Sequence, residues 1–160
     1  ALRGLIEALQ EGDKAMGRRD WSGADAHYRR ALGISPDDYA ALLKCAECQV
    51  AMKRYAEARR YAEAARRVYP EEAKACSVSG ISRLMVRDWD GAYEAFSTYD
   101  ERLPGNPGIT FLQGLSLEGM GRRRDAAQAY YDFLRVVTSG EQAQYAYNRL
   151  VEWGYVRPGR

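Results

Sequence analysis

His27 is the single histidine in this chain of 160 residues, and Cys45-Ala46-Glu47-Cys48 is its one C-x-x-C. A lone imidazole can serve as base or metal ligand only beside a nucleophile, an acid or further ligands. The chain spells no H-E-x-x-H, no G-x-x-x-x-G-K-[ST] and no glycine-rich strand-to-helix turn, so hydrolase, nucleotide and dinucleotide templates have no anchor. His27 is therefore expected at a partly exposed helix position. A redox C-x-x-C opens a helix after a strand, whereas this one lies inside a helical pattern. Zinc would need two more ligands at matching spacing, and Cys76 alone does not complete a set. Three cysteines are also too few and oddly numbered for a disulfide framework, and they read as fillers of small gaps in a reduced interior. These residues predict no catalytic, cofactor-binding or metal site, and hence no enzyme.

Cations come in pairs, at Arg18-Arg19, Arg29-Arg30, Arg59-Arg60 and Arg66-Arg67, with a run from Arg122 to Arg124. Acids interleave with them at Glu57, Glu63, Glu71 and Glu72, and the formal net charge is only +2. A solvated face is expected rather than a track for nucleic acid; single-stranded RNA on a helical repeat is the third reading. No run approaches the ~18 continuous apolar residues of a membrane span, and no leader pattern is present. The default compartment is then the cytoplasm. Ala1 is not an initiator, and Leu2, Leu5, Ile6 and Leu9 are already helically spaced, so the segment is expected to be cut from a longer chain.

The elements that carry these residues follow a period. R-D-W-x-G-A occurs at Arg19 and again at Arg87, 68 residues later, with Arg54-Tyr55-Ala56-Glu57-Ala58 halfway, so the interval is 34 residues. Four columns align: Gly12, Ala46, Gly80, Gly114; Ala24, Ala58, Ala92, Ala126; Tyr28, Ala62, Phe96, Tyr130; and Pro36, Pro70, Pro104, Thr138. A small residue on each of two helices, with a ring one turn beyond the second, is what a close antiparallel pair needs. Asp20 and Asp88 can cap the second helices, and the prolines stop them. Trp21, Tyr55 and Trp89 are placed to wedge between units; their fourth copy is Arg123. From Glu141 to Trp153 one more helix is expected, closing at Gly154 and covering the apolar end of the stack.

The period and its columns resemble the tetratricopeptide-repeat (TPR) family over roughly residues 5 to 140. The resemblance implies an all-α fold, a tetratricopeptide-like α-solenoid of about four helix-turn-helix repeats plus a C-terminal capping helix. One domain over 1–160 is expected, with repeats near 5–38, 39–72, 73–106 and 107–140 and the cap near 141–153. The first helices depart from the family pattern W-x-x-L-G-x-x-Y. They hold polar groups at Glu11, Gln49, Ser79, Arg83 and Gln113, which implies either an apolar groove or rotated helices.

The resemblance further implies a concave groove lined by first helices that receives a protein or peptide partner, or a neighbouring domain of the same chain. By phase its residues are Leu9, Asp13, Leu43, Lys44, Glu47, Val50, Lys74, Ile81, Met85, Phe111 and Leu115, with Met16, Val78, Leu84 and Leu112 alongside. One subgroup of the family grips a free carboxylate with a set of lysine, asparagine and arginine side chains. The matching places hold Leu9, Asp13, Lys44, Lys74 and Val78, and only Lys74 agrees, so that clamp is not expected. A hydrophobic protein segment is the expected ligand, in a chaperone-like role without chemistry. NPGITFLQGLSLEGMGRR and AQYAYNRLVEWGYV are also similar to repeat tails of some bacterial envelope zinc metalloproteases. That likeness implies, as the alternative, an accessory substrate- or partner-binding domain of such an enzyme, working in the periplasm.

Overall fold

The computed structural model describes residues 1–159, and helix starts recur in it at the spacing of the sequence columns. First helices are α1 (Leu2–Gly17), α3 (Tyr39–Ala51), α5 (Ala73–Met85) and α7 (Pro107–Gly119). Second helices are α2 (Trp21–Ile34), α4 (Tyr55–Val68), α6 (Trp89–Arg102) and α8 (Arg123–Leu134). A ninth, α9 (Glu141–Glu152), begins 34 residues after α7, in the frame of another first helix. No strand occurs among the described residues.

Local sequence sets the boundaries. Asp20 and Asp88 accept hydrogen bonds from the amides of Gly23 and Gly91, at 3.0 and 3.1 Å, and Asp38 and Asn106 do the same for α3 and α7. Helices α2, α4 and α6 each stop two residues before their proline, because proline restricts the preceding residue to extended backbone. Between the helices of each pair one residue takes a left-handed conformation: Arg19 (φ 60°), Lys53 (φ 61°), Arg87 (φ 64°) and Gly121 (φ 76°). Only the fourth is a glycine, so three repeats hold a side chain where it is disfavoured.

Each pair closes through the small columns. Ala24, Ala58, Ala92 and Ala126 are fully buried, as are Tyr28, Phe96 and Tyr130. The rings lie where a Cβ on Gly12, Gly80 or Gly114 would stand. In the second repeat Ala46 faces a column whose ring has become Ala62, and both methyls are buried. Trp89 packs over Gly119 of the next repeat, and acts there as the expected wedge.

Consecutive helices pack along the whole stack, and α5 also touches α3 and α7, whereas second helices make no comparable contact with one another. The first helices therefore form the inner layer of a curved stack and the second helices its outer layer. At the C-terminal end Phe111 sits against Tyr130, Phe133 and Tyr145, and Trp153 stacks on Tyr130 at 6.0 Å. Glu118 accepts hydrogen bonds from the hydroxyls of Tyr130 (2.7 Å) and Tyr145 (3.1 Å), and Arg149 closes the ion pair at 3.2 Å. Helix α9 is thus fixed by rings and by one shared carboxylate.

Candidate inner-face binding site

Of the polar residues that depart from the family pattern, Ser79, Arg83 and Gln113 turn away from the inner surface. Ser79 donates its hydroxyl to Glu63 of α4, and Arg83 reaches Glu63 at 3.3 Å and Asp88 at 2.8 Å. Gln113 donates to Ser97 of α6 at 3.5 Å, which repeats the 16-residue separation of Ser79 from Glu63. This column packs on the preceding second helix, so the first helices keep the family's orientation and carry polar groups in the contact between repeats. Glu11 has no preceding helix and pairs with Lys14. Gln49 is fully buried, and its amide finds no protein partner.

What remains for the inner face depends on the ring column. Tyr28 donates its hydroxyl to Asp13 at 2.5 Å, and burial followed by that hydrogen bond raises its phenol well above the ordinary value. Tyr130 is served by Glu118 in the same way. The middle repeats have Ala62 and Phe96 in this column and no hydroxyl to receive; there the Asp13 position holds Glu47 and Ile81, and the Glu118 position holds Val50 and Leu84. A cleft of about 210 Å³ opens between α3 and α5, lined by Glu47, Val50, Lys74, Ser77, Val78 and Ile81.

The phase-derived residues separate into three groups. Glu47, Val50, Lys74 and Ile81 come together in the cleft, with Lys44 on α3 one turn before Glu47 and Met85 beyond its far end, 53% exposed. Leu43 (8% exposed) and Phe111 (5%) lie in the core, the first among Leu42, Ala46 and Val78, the second beneath Tyr145. Leu9, Asp13 and Leu115 belong to the flanking repeats: Leu9 and Leu115 are half-buried against core clusters, and Asp13 is committed to Tyr28. Ser77, absent from that set, lines the cleft but uses its hydroxyl on the carbonyl of Lys74. None of the ion pairs among the described residues uses Lys44, Glu47 or Lys74.

The other candidates for chemistry lie apart. Cys45, Cys48 and Cys76 are free and buried. Burial first and Asp25 second push the Cys48 thiol up to about 12 and raise Cys45 as well, so neither is a thiolate at neutral pH. Cys76 feels Arg66 and Glu94 instead, in a different contact between repeats. His27 accepts a hydrogen bond at Nδ1 from Arg30 at 3.1 Å on the outer layer. Among the described residues no group of three or more His, Cys, Asp or Glu could hold a metal ion, and no helix is long and apolar enough to cross a membrane. Arg29, Arg60, Arg66 and Arg122 are paired with Asp25, Glu57, Glu63 and Asp125, so one arginine of each of these doublets, and of the run from Arg122 to Arg124, is matched by an acid on its own helix or at its start.

Comparison with known proteins points the same way. A tetratricopeptide-repeat model matches residues 15–75. The heat-shock protein cognate (HSC) co-chaperone sgt12 of Aspergillus fumigatus is 36% identical over 86 residues, 54% of this chain and 25% of that protein. The matched stretch thus spans about a quarter of that relative's length. The crystal structure of the Sgt2 TPR domain from the same fungus superposes with a TM-score of 0.68 at 27% identity, covering 75% of this chain and 81% of that one. MamA from Desulfovibrio magneticus RS-1 gives a TM-score of 0.88 at 12% identity, covering 95% and 86%, a likeness of fold alone. The helices form a tetratricopeptide-like α-solenoid.

Proposed function

Because this chain is built of tetratricopeptide repeats, we propose that it is a non-catalytic scaffold that holds an apolar segment of another protein against α3 and α5. The coarser reading, a protein-interaction scaffold, rests on the repeats and on the likeness to a co-chaperone. The finer one is carried by a single observation: Val50, Val78 and Ile81 form an apolar-floored cleft on the inner layer, edged by Glu47 and Lys74, neither of which enters an ion pair among the described residues. Elsewhere on that layer Asp13 and Glu118 are occupied by tyrosines of the fold itself.

Seating one leucine-sized side chain in such a cleft is worth about 1.5–3 kcal/mol, whereas an exposed ion pair adds about 0–1 kcal/mol. Apolar contact should therefore dominate affinity. Selection from a random 12-residue peptide library tests this, with circular dichroism first establishing that each variant is folded. Peptides enriched on the wild type should be lost by Val50→Glu/Ile81→Glu and weakened only modestly by Lys44→Ala/Lys74→Ala. Enrichment that survives the glutamate pair would place the binding surface elsewhere.

A further inference from the structure

We propose that the edge of the stack formed by the turns after the first helices docks on an anionic phospholipid bilayer, with apolar turn tips at the headgroup–acyl boundary and the cations around them on the lipid phosphates. This surface is separate from the α3/α5 cleft and does not depend on it. The same backbone turn follows α1, α3, α5, α7 and α9: the amides of Asp20, Arg54, Asp88, Arg122 and Tyr155 each donate to the carbonyl five residues back, at 2.8–3.0 Å. Just before each amide stands the left-handed residue, Arg19, Lys53, Arg87, Gly121 or Gly154. Successive turns are neighbours along one edge, since Trp89 packs over Gly119 and the Arg123 guanidinium lies 5.4 Å from the centre of the Trp153 ring.

The residue before the left-handed one is Met52, Val86, Met120 or Trp153 in every turn but the first, where it is Arg18. Val86 and its neighbour Met85 are half exposed, at 50% and 53%. Around these tips Arg18, Arg19, Lys53, Arg54, Arg87 and Arg157 enter no ion pair among the described residues. Asp20 and Asp88 serve as helix caps and Asp125 pairs with Arg122, whereas Asp90 has neither role. Three repeats keep a cation in a conformation that favours glycine, so turn geometry alone does not account for these side chains. At the opposite edge the turns between repeats carry Asp37, Asp38, Glu71, Glu72 and Glu141, again with no ion pair among the described residues. A net charge of only +2 thus hides a separation of sign across the stack, and that separation turns the basic edge toward an anionic surface.

Cations alone would serve any polyanion, and the apolar tips decide between them. Single-stranded nucleic acid is held by rings free to stack on bases. Here Trp89 is wedged over Gly119 and Trp153 stacks on Tyr130, whereas the exposed tips Met85 and Val86 have no ring. Such side chains beside cations suit the boundary of a bilayer, where acyl chains receive the first and headgroup phosphates the second. Tyr155, half exposed in the last turn, is a ring type that this boundary favours.

Flotation with vesicles about 100 nm across tests the proposal, comparing pure phosphatidylcholine with phosphatidylcholine containing about 30% phosphatidylglycerol. Binding should require the anionic lipid and weaken as salt rises. Arg19→Gly/Lys53→Gly/Arg87→Gly puts glycine where the backbone favours it, so this variant should melt at or above the wild-type temperature. It should nevertheless bind about tenfold or more weaker, each cation near the surface being worth about fivefold. Arg67→Gln/Arg102→Gln/Arg135→Gln removes the same charge from the opposite edge and should bind nearly as the wild type does. Met85→Ser/Val86→Ser should weaken binding about threefold or more. Circular dichroism establishes that each variant is folded.

Equal binding to both vesicles, no binding to either, wild-type affinity in the glycine triple, or an equal loss in the opposite-edge triple overturns the proposal. Unchanged binding in the serine pair overturns it too, because a contact made by charge alone has no reason to prefer a bilayer. A 20-nucleotide oligothymidine that binds more tightly per phosphate than the vesicles, and is lost in the glycine triple but not in the opposite-edge triple, would make this edge a nucleic-acid track instead.

Discussion

The contact between Gly80 and Phe96 shows how one atom decides the closure of a helix pair. The ring is fully buried and occupies the space a Cβ would need, so Gly80→Ala must push Phe96 or the helix axis aside. Such overpacking costs about 1–3 kcal/mol. Gly80→Ala should therefore lower the midpoint of urea unfolding clearly, and Gly80→Leu further still. Arg59→Ala, at an exposed side chain of the outer layer, should leave it nearly unchanged, and equal shifts from both would refute the helix contact. These columns were readable in the sequence because every repeat solves the same packing problem at the same place. The tyrosine–acid pairs were not: Asp13 precedes Tyr28 by 15 residues and Glu118 precedes Tyr130 by 12, so no shared spacing announces them. Phase alone likewise placed Phe111 on the inner face, although Tyr145, one full period later, covers it.

At the level of elements, α5 is tied to its neighbours by charge where the family packs apolar groups. Glu63 is held below the ordinary carboxylate range: burial works against this, but the Ser79 hydroxyl, Arg66 and Arg83 together outweigh it. Asp88 is also lowered, chiefly by its hydrogen bond from Arg83 and further by the Gly91 amide, against a smaller effect of burial. A carboxyl lowered in the fold binds fewer protons there than in the unfolded chain, so stability rises with pH through that interval. The contribution is complete above the ordinary carboxylate range and is lost as pH falls through the depressed values. Melting temperature should therefore decline steeply in the acid range. Arg83→Met, which returns Glu63 and Asp88 toward ordinary behaviour, should lower stability at neutral pH and flatten that decline. A parallel curve, displaced but equally steep, would mean that these carboxyls do not carry the acid sensitivity. Ser79 and Arg83 were visible in the sequence as departures from the pattern. Their partner Glu63 was not, because it lies on the second helix of the preceding repeat and the column changes chemistry at every step.

Across the whole molecule, stability is a chain of neighbouring contacts, and the C-terminal end shows what closes it. Helix α9 starts in the frame of a first helix, yet Asn148 stands exposed where Gly12, Ala46, Gly80 and Gly114 receive a second helix. The helix was legible from its spacing and from Trp153. The shared carboxylate of Glu118 that fixes it was not, because its partner Tyr145 lies 27 residues away on another helix, at a spacing no other repeat uses. Deleting residues 141–160 would uncover Phe111, Tyr130 and Phe133 and leave Glu118 without Tyr145 and Arg149. In a stack coupled mainly between neighbours, the loss should be greatest in α7 and α8 and fade toward α1. Hydrogen exchange should then show protection falling sharply in α7 and α8 and little in α1 to α4, with a lower melting temperature and increased binding of a hydrophobic dye. The α3/α5 cleft, separated from α9 by α6 through α8, should keep the peptide affinity proposed for it at temperatures where α7 and α8 have opened. Uniform loss of protection from α1 to α8 would instead make the stack a single cooperative unit, in which the cap governs the binding site as well as the end it covers.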